Sequence, residues 1–421
     1  MNVKIYPGTI NNSISVPPSK SDSHRAIICA ALAGGRSTIQ NIIYSDDINA
    51  TINAMEILGA KIEKKNDSIV IDGVTNFQNW KHLPIDCQES GSTLRFILPL
   101  FSLTGDEVTI TGRARLLERP LDIYQDIAAK QGITFRRESD KIILIGKFKA
   151  DNYIISGDIS SQFITGLLLT LPLLDADSSI TILPPFESRS YVLMTIQTMS
   201  LFGVNVEYDM NDTFHIKGKQ HYSPCNYAVE GDYSNASSFA VLGALNNELK
   251  VLGLNHESKQ GDKVIFDIVE RFGATVSTIK NGYKIKPNKV QPIEVDLQDC
   301  PDIGPSLMVL LSFCEGDSHI INTHRLAVKE TNRIITMVSN LQAFGVGIRA
   351  NDNEIFIRGK DNYIGGVSVP SFNDHRICMA MAVMATLVDN PVIVKEAECV
   401  KKSYPDFFED LKKIGIKVEY L

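Results

Sequence analysis

The sequence lacks most features of membrane, secreted and nucleic-acid-binding proteins. Its longest apolar stretches, such as MVLLSF from position 308 and MAMAVMATLV from position 379, are much shorter than the roughly 20 residues that cross a bilayer. The first residues, MNVKIYPGTINN, contain no apolar core, so we expect no secretory signal. The 421 residues carry 42 Lys and Arg against 49 Asp and Glu, a net charge of −7, without a basic block. This charge argues against a nucleic-acid-binding protein.

Paired cysteines and metal-ligand clusters are lacking too. The seven cysteines and eight histidines are scattered, and no CxxC pair occurs. This pattern is typical of reduced thiols, so we expect a cytoplasmic protein without a disulfide framework. No His/Cys group has the spacing of a zinc site, and neither a P-loop lysine motif nor a GxGxxG fingerprint stands out. We therefore expect no metal and no cofactor.

What the sequence does contain is a repeat of about 70 residues. A glycine that follows an apolar helical pattern and precedes an alternating run recurs six times, at intervals of 70 to 73 residues. Glycine ends a helix readily because it adopts the left-handed conformation without a Cβ clash. The six glycines are Gly59, Gly132, Gly203, Gly273, Gly345 and Gly415. The spacing predicts six units that account for the whole chain.

Units of this size cannot bury both of their faces alone, so we expect them to share cores. In four units a turn and a second strand follow the glycine, as in EKKNDSIVIDG and STIKNGYKIKP, and such turns are typical of hairpins. The repeat predicts an α/β protein of two domains with three units each, and its midpoint lies near 228–232. A single repeat scaffold without a site is the alternative.

Polar residues precede the apolar helices that we expect in the N-terminal half. Free backbone N–H groups and the helix dipole favour an anion at such positions. The clearest cases are PPSKSDSHRA from position 17 and ESGSTLRFILPL from position 89, where a glycine permits close backbone approach. The candidate binding residues of this half are Lys20, Ser21, Arg25, Gly91, Arg119, Ser160, Ser161, Gln162 and Ser188.

The C-terminal half has charges of both signs at its predicted helix starts. Asp302 stands between two prolines, where a carboxylate could cap the next helix or act as a general base. Lys329, Glu330 and Arg333 fall within five residues of one another. The charged residues at two further starts are Asp374, His375, Arg376 and Lys402. If the starts of both halves meet in an interdomain cleft, the site suits small phosphorylated or carboxylated substrates; each segment alone is also explained by capping or a solvated face.

Nine motifs, in the same order, resemble those of the EPSP synthase family of enolpyruvyl transferases. They are PPSKSDSHRA, SGSTLRFILPL, ERPLD, SSQFITGLL, EGDYSNASSF, PDIGPSLMVL, KETNR, NDHRICMAMA and KKSYPDFF. The resemblance implies a two-domain inside-out α/β barrel of six βαβαββ units, three per domain. It places residues 18–230 in one domain and residues 1–17 with 231–421 in the other, with the active site in the cleft between them.

The resemblance also implies the reaction. Phosphoenolpyruvate would be joined to the 5-hydroxyl of shikimate 3-phosphate with release of phosphate, in the biosynthesis of chorismate and the aromatic amino acids. It implies an addition–elimination without metal or organic cofactor, and these two small molecules as the partners. It further implies a cytoplasmic monomer with no nucleic-acid or membrane partner.

Carried onto matching positions, the resemblance implies three sets of residues. The catalytic set is Asp302 as the base, with Glu330 and Lys20 as proton sources. The shikimate 3-phosphate set is Lys20, Ser21, Arg25, Ser160, Ser161, Gln162, Ser188, Asp302 and Lys329. The phosphoenolpyruvate set is Lys20, Gly91, Arg119, Gln162, Arg333, Arg376 and Lys402.

Two alternatives stay open from the sequence. The sister enolpyruvyl transferase, which acts on UDP-N-acetylglucosamine, places a reactive cysteine on a loop of the first domain. Here no cysteine lies between Cys87 and Cys225, and the SSQ and KETNR motifs favour shikimate 3-phosphate. A repeat protein that only binds a phosphorylated metabolite is the other alternative, but Asp302 and Glu330 would repel such an anion.

Overall fold

Six four-stranded sheets contain the named strands of the protein, three in each of two units. The computed structural model describes residues 1–74 and 76–421. The first unit consists of Met1–Pro17 and Glu230–Leu421, and the second of Pro18–Val229. Among the described residues, no helix is both long and apolar enough to cross a membrane.

The first unit begins with two strands, and the chain then builds the second unit. The two strands are β1 (Val3–Ile5) and β2 (Ser13–Ser15). The helices of the second unit are α1 (Lys20–Leu32), α2 (Asp46–Leu58), α3 (Gly91–Ser102), α4 (Ala114–Glu118), α5 (Asp122–Gln131), α6 (Ser161–Thr170) and α7 (Arg189–Leu201), with 3₁₀ helices Phe77–Asn79 and Leu171–Leu173. Its strands are β3 (Arg36–Gln40), β4 (Lys61–Lys64), β5 (Ser68–Asp72), β6 (Ile85–Asp86), β7 (Glu107–Thr111), β8 (Thr134–Arg137), β9 (Lys141–Ile145), β10 (Asn152–Ser156), β11 (Ser178–Leu183), β12 (Val206–Tyr208), β13 (Thr213–Ile216) and β14 (Asn226–Ala228).

The rest of the first unit follows. Its helices are α8 (Tyr233–Leu245), α9 (Ile265–Phe272), α10 (Gly304–Ser312), α11 (Arg333–Ala343), α12 (His375–Thr386) and α13 (Phe407–Lys413), with 3₁₀ helices Gly261–Val264, Pro301–Ile303, His324–Val328 and Ala397–Lys402. Its strands are β15 (Leu249–Leu252), β16 (Thr275–Ile279), β17 (Gly282–Lys286), β18 (Glu294–Asp296), β19 (Gly316–Ile321), β20 (Gly347–Ala350), β21 (Glu354–Gly359), β22 (Ser368–Pro370), β23 (Val392–Lys395) and β24 (Val418–Tyr420).

All six sheets have the same topology. In the order β6-β7-β9-β8, for example, the first edge strand β6 is parallel to β7. The other two pairs, β7 with β9 and β9 with the second edge strand β8, are antiparallel. The four predicted hairpins form β4-β5, β12-β13, β16-β17 and β20-β21. All six repeat glycines have positive φ, between 70° and 124°. The predicted α/β class with six repeated units is confirmed.

The sheets are completed by strands that are distant in sequence. β14, at the end of the second unit, pairs in parallel with β3, at its beginning. β2 pairs in parallel with β15, and β1 lies between β23 and β24. The two N-terminal strands therefore belong to sheets of the first unit. They supply the strands that complete two of its three four-stranded sheets.

Each unit has its own apolar core, and three helices in each are almost wholly buried. These are α1, α3 and α6 in the second unit and α8, α10 and α12 in the first. A helix buried on all sides must be apolar along most of its length, which leaves its polar first turn as the place for charged side chains. The candidate residues of the sequence analysis lie mainly at these starts.

Candidate active site

In the second unit, one polar cluster lies at the start of α1. Ser19 caps the helix by accepting a hydrogen bond from the Asp22 N–H at 3.3 Å. The Lys20 ammonium lies 2.7 Å from a carboxylate oxygen of Asp47, and both side chains are mostly buried. Lys20 is thereby held at a helix N-terminus, where the dipole and the lysine charge both favour an anion.

Arg25, which is 2% exposed, connects α1 with α6 and α7. Its Nε donates to Thr195 Oγ1 at 2.8 Å, and its Nη2 donates to the Tyr191 carbonyl at 3.0 Å and to Thr165 Oγ1 at 3.4 Å. Its Nη1 donates to the Ser21 carbonyl at 2.6 Å. Burial lowers the pKa of Arg25 to about 10, so the side chain stays charged at neutral pH. Arg25 thus supports the start of α1, and a direct substrate contact stays a prediction.

A second cluster surrounds Gly91, the first residue of α3. A Cβ added at Gly91 would lie 2.5 Å from Arg119 Nη1 and 3.0 Å from Arg95 Nη1, so both guanidinium groups stand against this backbone. Arg95 donates to Gln162 Oε1 at 2.9 Å, and Gln162 Nε2 donates to Ser92 Oγ at 2.9 Å. Arg119 Nε is buried and has no hydrogen-bond partner among residues 1–74 and 76–421. The cluster therefore offers a buried cationic donor beside an open backbone.

The remaining candidates of this unit lie at the starts of α6 and α7. Ser160 caps α6 by accepting from the Gln162 N–H at 3.4 Å, and Ser161 is its first, buried residue. Ser188 precedes α7 with a φ of 50° and is buried. Arg119 lies between α4 and α5, shortly before α5 begins at Asp122; Pro120 directly follows it and disfavours helical backbone at the residue before it.

The first unit contains a buried ion cluster centred on Arg333, which is 1% exposed. Arg333 Nε lies 2.8 Å from Asp374 Oδ2, and its Nη2 lies 3.2 Å from Asp374 Oδ1. Its Nη1 donates to Asp302 at 3.0 Å, and its Nη2 also donates to Glu330 at 2.7 Å. The planar fork of an arginine suits such bidentate contacts. One guanidinium therefore orients three carboxylates.

Asp302 lies in the 3₁₀ helix before α10, and its side chain is 24% exposed. It does not cap α10, whose cap residue is Ile303 without a side-chain bond. Lys329 Nζ lies 2.9 Å from Asp302 Oδ1. Burial by itself would raise the pKa of Asp302, but Lys329, Arg333 and then Arg376 hold it well below its usual value. Asp302 is consequently ionised at neutral pH and able to accept a proton.

A second arginine site of this unit joins α12 to α8. Asp374 caps α12 by accepting from the Arg376 N–H at 2.9 Å, and Arg376 Nη1 donates to Asn235 Oδ1 at 2.9 Å. Arg376 Nε is buried, without a hydrogen-bond partner in the described part of the chain. The sequence predicted Lys402 at the start of the last helix, but the structure places it earlier. It ends a 3₁₀ helix and donates to the Asn373 carbonyl, since Pro405 delays α13 until Phe407.

Comparisons with known proteins agree with the motifs and the fold. The model of a family described as EPSP synthase (3-phosphoshikimate 1-carboxyvinyltransferase) matches residues 6–411. The chain belongs to the EPSP synthase family. The 3-phosphoshikimate 1-carboxyvinyltransferases of Clostridium kluyveri and Clostridioides difficile are 41% and 42% identical to it, over 99% of this chain and 98% of each relative.

Solved structures of an EPSP synthase and of another enolpyruvyl transferase share the fold. The chain aligns with EPSP synthase from Acinetobacter baumannii with a TM-score of 0.81 and 24% identity, over 100% of both chains. It aligns with the enolpyruvyl transferase NikO from Streptomyces tendae with a TM-score of 0.83 and 16% identity, over 100% of this chain and 98% of the other. At these identities the two structures establish the fold alone.

For this EPSP synthase family member, sequence reasoning missed several partners of the predicted residues. They are Asp47, Thr165, Thr195 and Asn235, while the Ser92 hydroxyl was noticed as one that can cap or bind and Asp374 was noticed without a role. Asp47 had a weak signal, as an acidic residue in the first turn of a helix capped by Ser45. The threonines had none, because a hydroxyl on a buried helix is also typical of plain packing.

Proposed function

We propose that the protein transfers the enolpyruvyl group of phosphoenolpyruvate to the 5-hydroxyl of shikimate 3-phosphate and releases phosphate. The observation that carries the proposal is the match of residues 6–411 to the EPSP synthase family, with relatives of that name at 41–42% identity over nearly the whole chain. The product, 5-enolpyruvylshikimate 3-phosphate, belongs to the biosynthesis of chorismate and the aromatic amino acids.

We assign the two substrates to the residue sets given in the sequence analysis. Buried cationic donors support the phosphoenolpyruvate set: Arg119 Nε and Arg376 Nε are buried polar atoms without a partner in residues 1–74 and 76–421, and each would be satisfied by a carboxylate or phosphate oxygen. The capped starts of α1 and α6, with Lys20 and Ser161, support the assignment of phosphate contacts there.

In the proposed mechanism, Asp302 accepts the proton of the 5-hydroxyl as the hydroxyl oxygen bonds to C2 of phosphoenolpyruvate. Glu330, with Lys20 as the second candidate, gives a proton to the methylene carbon C3. The C2–O bond to phosphate then breaks and phosphate leaves, while Glu330, deprotonated by the addition step, takes a proton back from C3 and the double bond is restored. The depressed pKa of Asp302, which Lys329, Arg333 and Arg376 maintain against the effect of burial, supports its assignment as the base, because the group is ionised before the substrate arrives.

Asp302, Glu330 and Asp374 accept hydrogen bonds from four of the five N–H groups of Arg333, so a bidentate contact with phosphoenolpyruvate requires a carboxylate to give way. Asp374 is 0% exposed and accepts two hydrogen bonds from Arg333, whereas Glu330 is 20% exposed and accepts one from it. We therefore expect Glu330 to leave Arg333 when the substrate anion binds. Away from the guanidinium, the Glu330 carboxylate can take up from solvent the proton that it then gives to C3.

The test is phosphate release by the purified protein, given phosphoenolpyruvate with either shikimate 3-phosphate or UDP-N-acetylglucosamine. We expect release with shikimate 3-phosphate alone. Release with the nucleotide sugar alone would assign the sister reaction, and release with neither, from folded protein, would favour a binding function. Asp302→Asn should bind shikimate 3-phosphate but lose turnover, whereas Asp317→Asn, which changes a carboxylate 78% exposed in the same unit, should keep full activity.

We also infer a cytoplasmic monomer. The seven cysteines are all free thiols, and six of them are buried, which suits a reducing compartment. Sedimentation of the purified protein tests the oligomeric state, and a dimer at micromolar concentration would refute the monomer. Recovery of the native protein with the soluble cytoplasmic fraction of its own cells tests the location.

A further inference from the structure

The first unit contains a buried carboxyl group, Asp262, that belongs to none of the residue sets above. It lies in the 3₁₀ helix Gly261–Val264, directly before α9, and is 1% exposed. The Ser234 hydroxyl, in the first turn of α8, donates a hydrogen bond to Asp262 Oδ2. Carboxyl groups are rarely buried to this extent, so the position of Asp262 calls for a physical explanation.

Asp262 adjoins residues of the proposed mechanism. Its 3₁₀ helix packs against α8, α9 and the 3₁₀ helix Pro301–Ile303, which carries Asp302. α8 also presents Asn235, which accepts the hydrogen bond from Arg376. The charged and titratable groups that interact electrostatically with Asp262 are Asp232, Cys300, Asp302 and Arg376. The charged residues of α9 are exposed to solvent; they are Asp267, Glu270 and Arg271.

The surroundings of Asp262 decide when it is charged. Burial, followed by the negative charge of Asp302, raises the pKa of Asp262 to about 6. Asp302 stays ionised throughout the neutral range because its pKa is held well below the usual value, against burial, by Lys329, Arg333 and Arg376. Between pH 5 and pH 7 the charge near Asp302 and Arg376 therefore changes at Asp262.

We propose that Asp262 is a positioning residue whose negative charge strengthens Asp302 as a base and weakens the attraction of Arg376 for an anionic substrate. Two neighbouring carboxylates each raise the proton affinity of the other, and a carboxylate beside an arginine partly cancels its charge. The inference rests on the proposed function, in which Asp302 is the base and Arg376 binds phosphoenolpyruvate. It adds a group that couples both roles to pH.

The kinetic test compares the wild type with Asp262→Asn from pH 5 to pH 8, by phosphate release at saturating shikimate 3-phosphate. Asn has the size and the neutral charge of protonated Asp, so the two proteins should agree near pH 5. Above pH 7 the variant should have a kcat about three-fold lower and a KM for phosphoenolpyruvate roughly three- to ten-fold lower than the wild type. These factors follow because an electrostatic interaction of one pKa unit corresponds to about a tenfold change in an equilibrium constant. The phosphate of the substrate also titrates near pH 6, but equally for both proteins.

Two further variants sharpen the comparison. Asp267→Asn removes an exposed carboxylate on α9, five residues away, and should follow the wild type at every pH. Ser234→Ala removes a hydrogen bond that lowers the pKa of Asp262, so the inflection in the KM for phosphoenolpyruvate should move to higher pH. A general structural defect would raise KM and lower kcat at every pH, and that result for Asp262→Asn would overturn the inference. Parallel profiles of wild type and Asp262→Asn would overturn it as well.

Urea unfolding of the free protein tests the titration of Asp262 without substrates. The pKa of Asp262 in the folded protein, about 6, is raised above the roughly 3.9 of an unfolded aspartate, so wild-type stability should fall relative to Asp262→Asn as pH rises from 4 to 6. The difference in unfolding midpoint should then stay constant above pH 7. A difference independent of pH would overturn the inference whether or not the enzyme is active. Absence of phosphate release by the wild type would instead overturn the proposed function.

Discussion

Replacing Arg333 with methionine should destabilise the first unit strongly. Met retains the apolar part of the buried side chain and removes the guanidinium, which binds Asp374 through two nitrogen atoms at 2.8 and 3.2 Å and also contacts Asp302 and Glu330. Asp374 is fully buried and would lose its cationic partner. Breaking a buried ion pair from one side costs about 3–5 kcal/mol, because a charge stays behind in a medium of low polarity.

This cost translates into a large shift in unfolding. At a urea dependence of about 2–3 kcal/mol/M, a loss of about 3–5 kcal/mol lowers the midpoint by roughly 1–2.5 M. Far-ultraviolet circular dichroism follows both units, whereas fluorescence of Trp80, the single tryptophan of the chain, reports on the second unit. We expect the transition in circular dichroism to begin at lower urea in Arg333→Met than in the wild type.

The matched control is Arg358→Met, in the same unit. Arg358 is 79% exposed and lies 3.8 Å from the equally exposed Asp317, and such surface pairs contribute at most about 1 kcal/mol. Adding Asp374→Asn to Arg333→Met should cost less than the sum of the single changes, by about 1–3 kcal/mol. The reasoning would be refuted if unfolding of Arg333→Met began at the same urea concentration as unfolding of Arg358→Met. It would also be refuted if the losses of unfolding free energy in the double variant were strictly additive.

Three further predictions concern the proposed active site. Gly91→Ala places a Cβ 2.5 Å from Arg119 Nη1 and must displace that side chain. The KM for phosphoenolpyruvate should rise about tenfold, which corresponds to the loss of one charge-assisted hydrogen bond. An unchanged KM in initial-rate assays would contradict this. Lys20→Met removes the ammonium that lies 2.7 Å from the mostly buried Asp47. It should lower the free energy of unfolding, measured by Trp80 fluorescence, by about 1–3 kcal/mol. An unchanged free energy of unfolding would mean that solvent stabilises the Asp47 carboxylate as well as Lys20 does. The pKa of Asp302 in the folded protein is depressed by Lys329, Arg333 and Arg376 despite burial. The ionised carboxylate therefore stabilises the fold above about pH 4, and this stabilisation is lost as the pH falls below the unfolded value of about 3.9. Asp302→Asn should make the free energy of unfolding less dependent on acid pH, and an unchanged pH dependence in unfolding titrations would contradict this.

Much of the local structure followed from the sequence alone. The six repeat glycines mark helix ends because a positive φ is inexpensive only for glycine, and the hairpins follow from alternation and turn residues. Polar segments before apolar runs also predicted the starts of buried helices, where Ser19 and Ser160 are the caps. These signals depend on residues within one or two turns of each other, so a single sequence contains them in full.

The long-range partners were decided only by the tertiary structure. Arg333 meets carboxylates 31 and 41 positions away, and Arg25 reaches threonines 140 and 170 positions away. β1 and β2 complete sheets whose other strands come from residues 249–420. Which charge finds which partner depends on how the buried helices and edge strands pack, and that packing minimises buried unpaired charge over the whole unit rather than along any short segment.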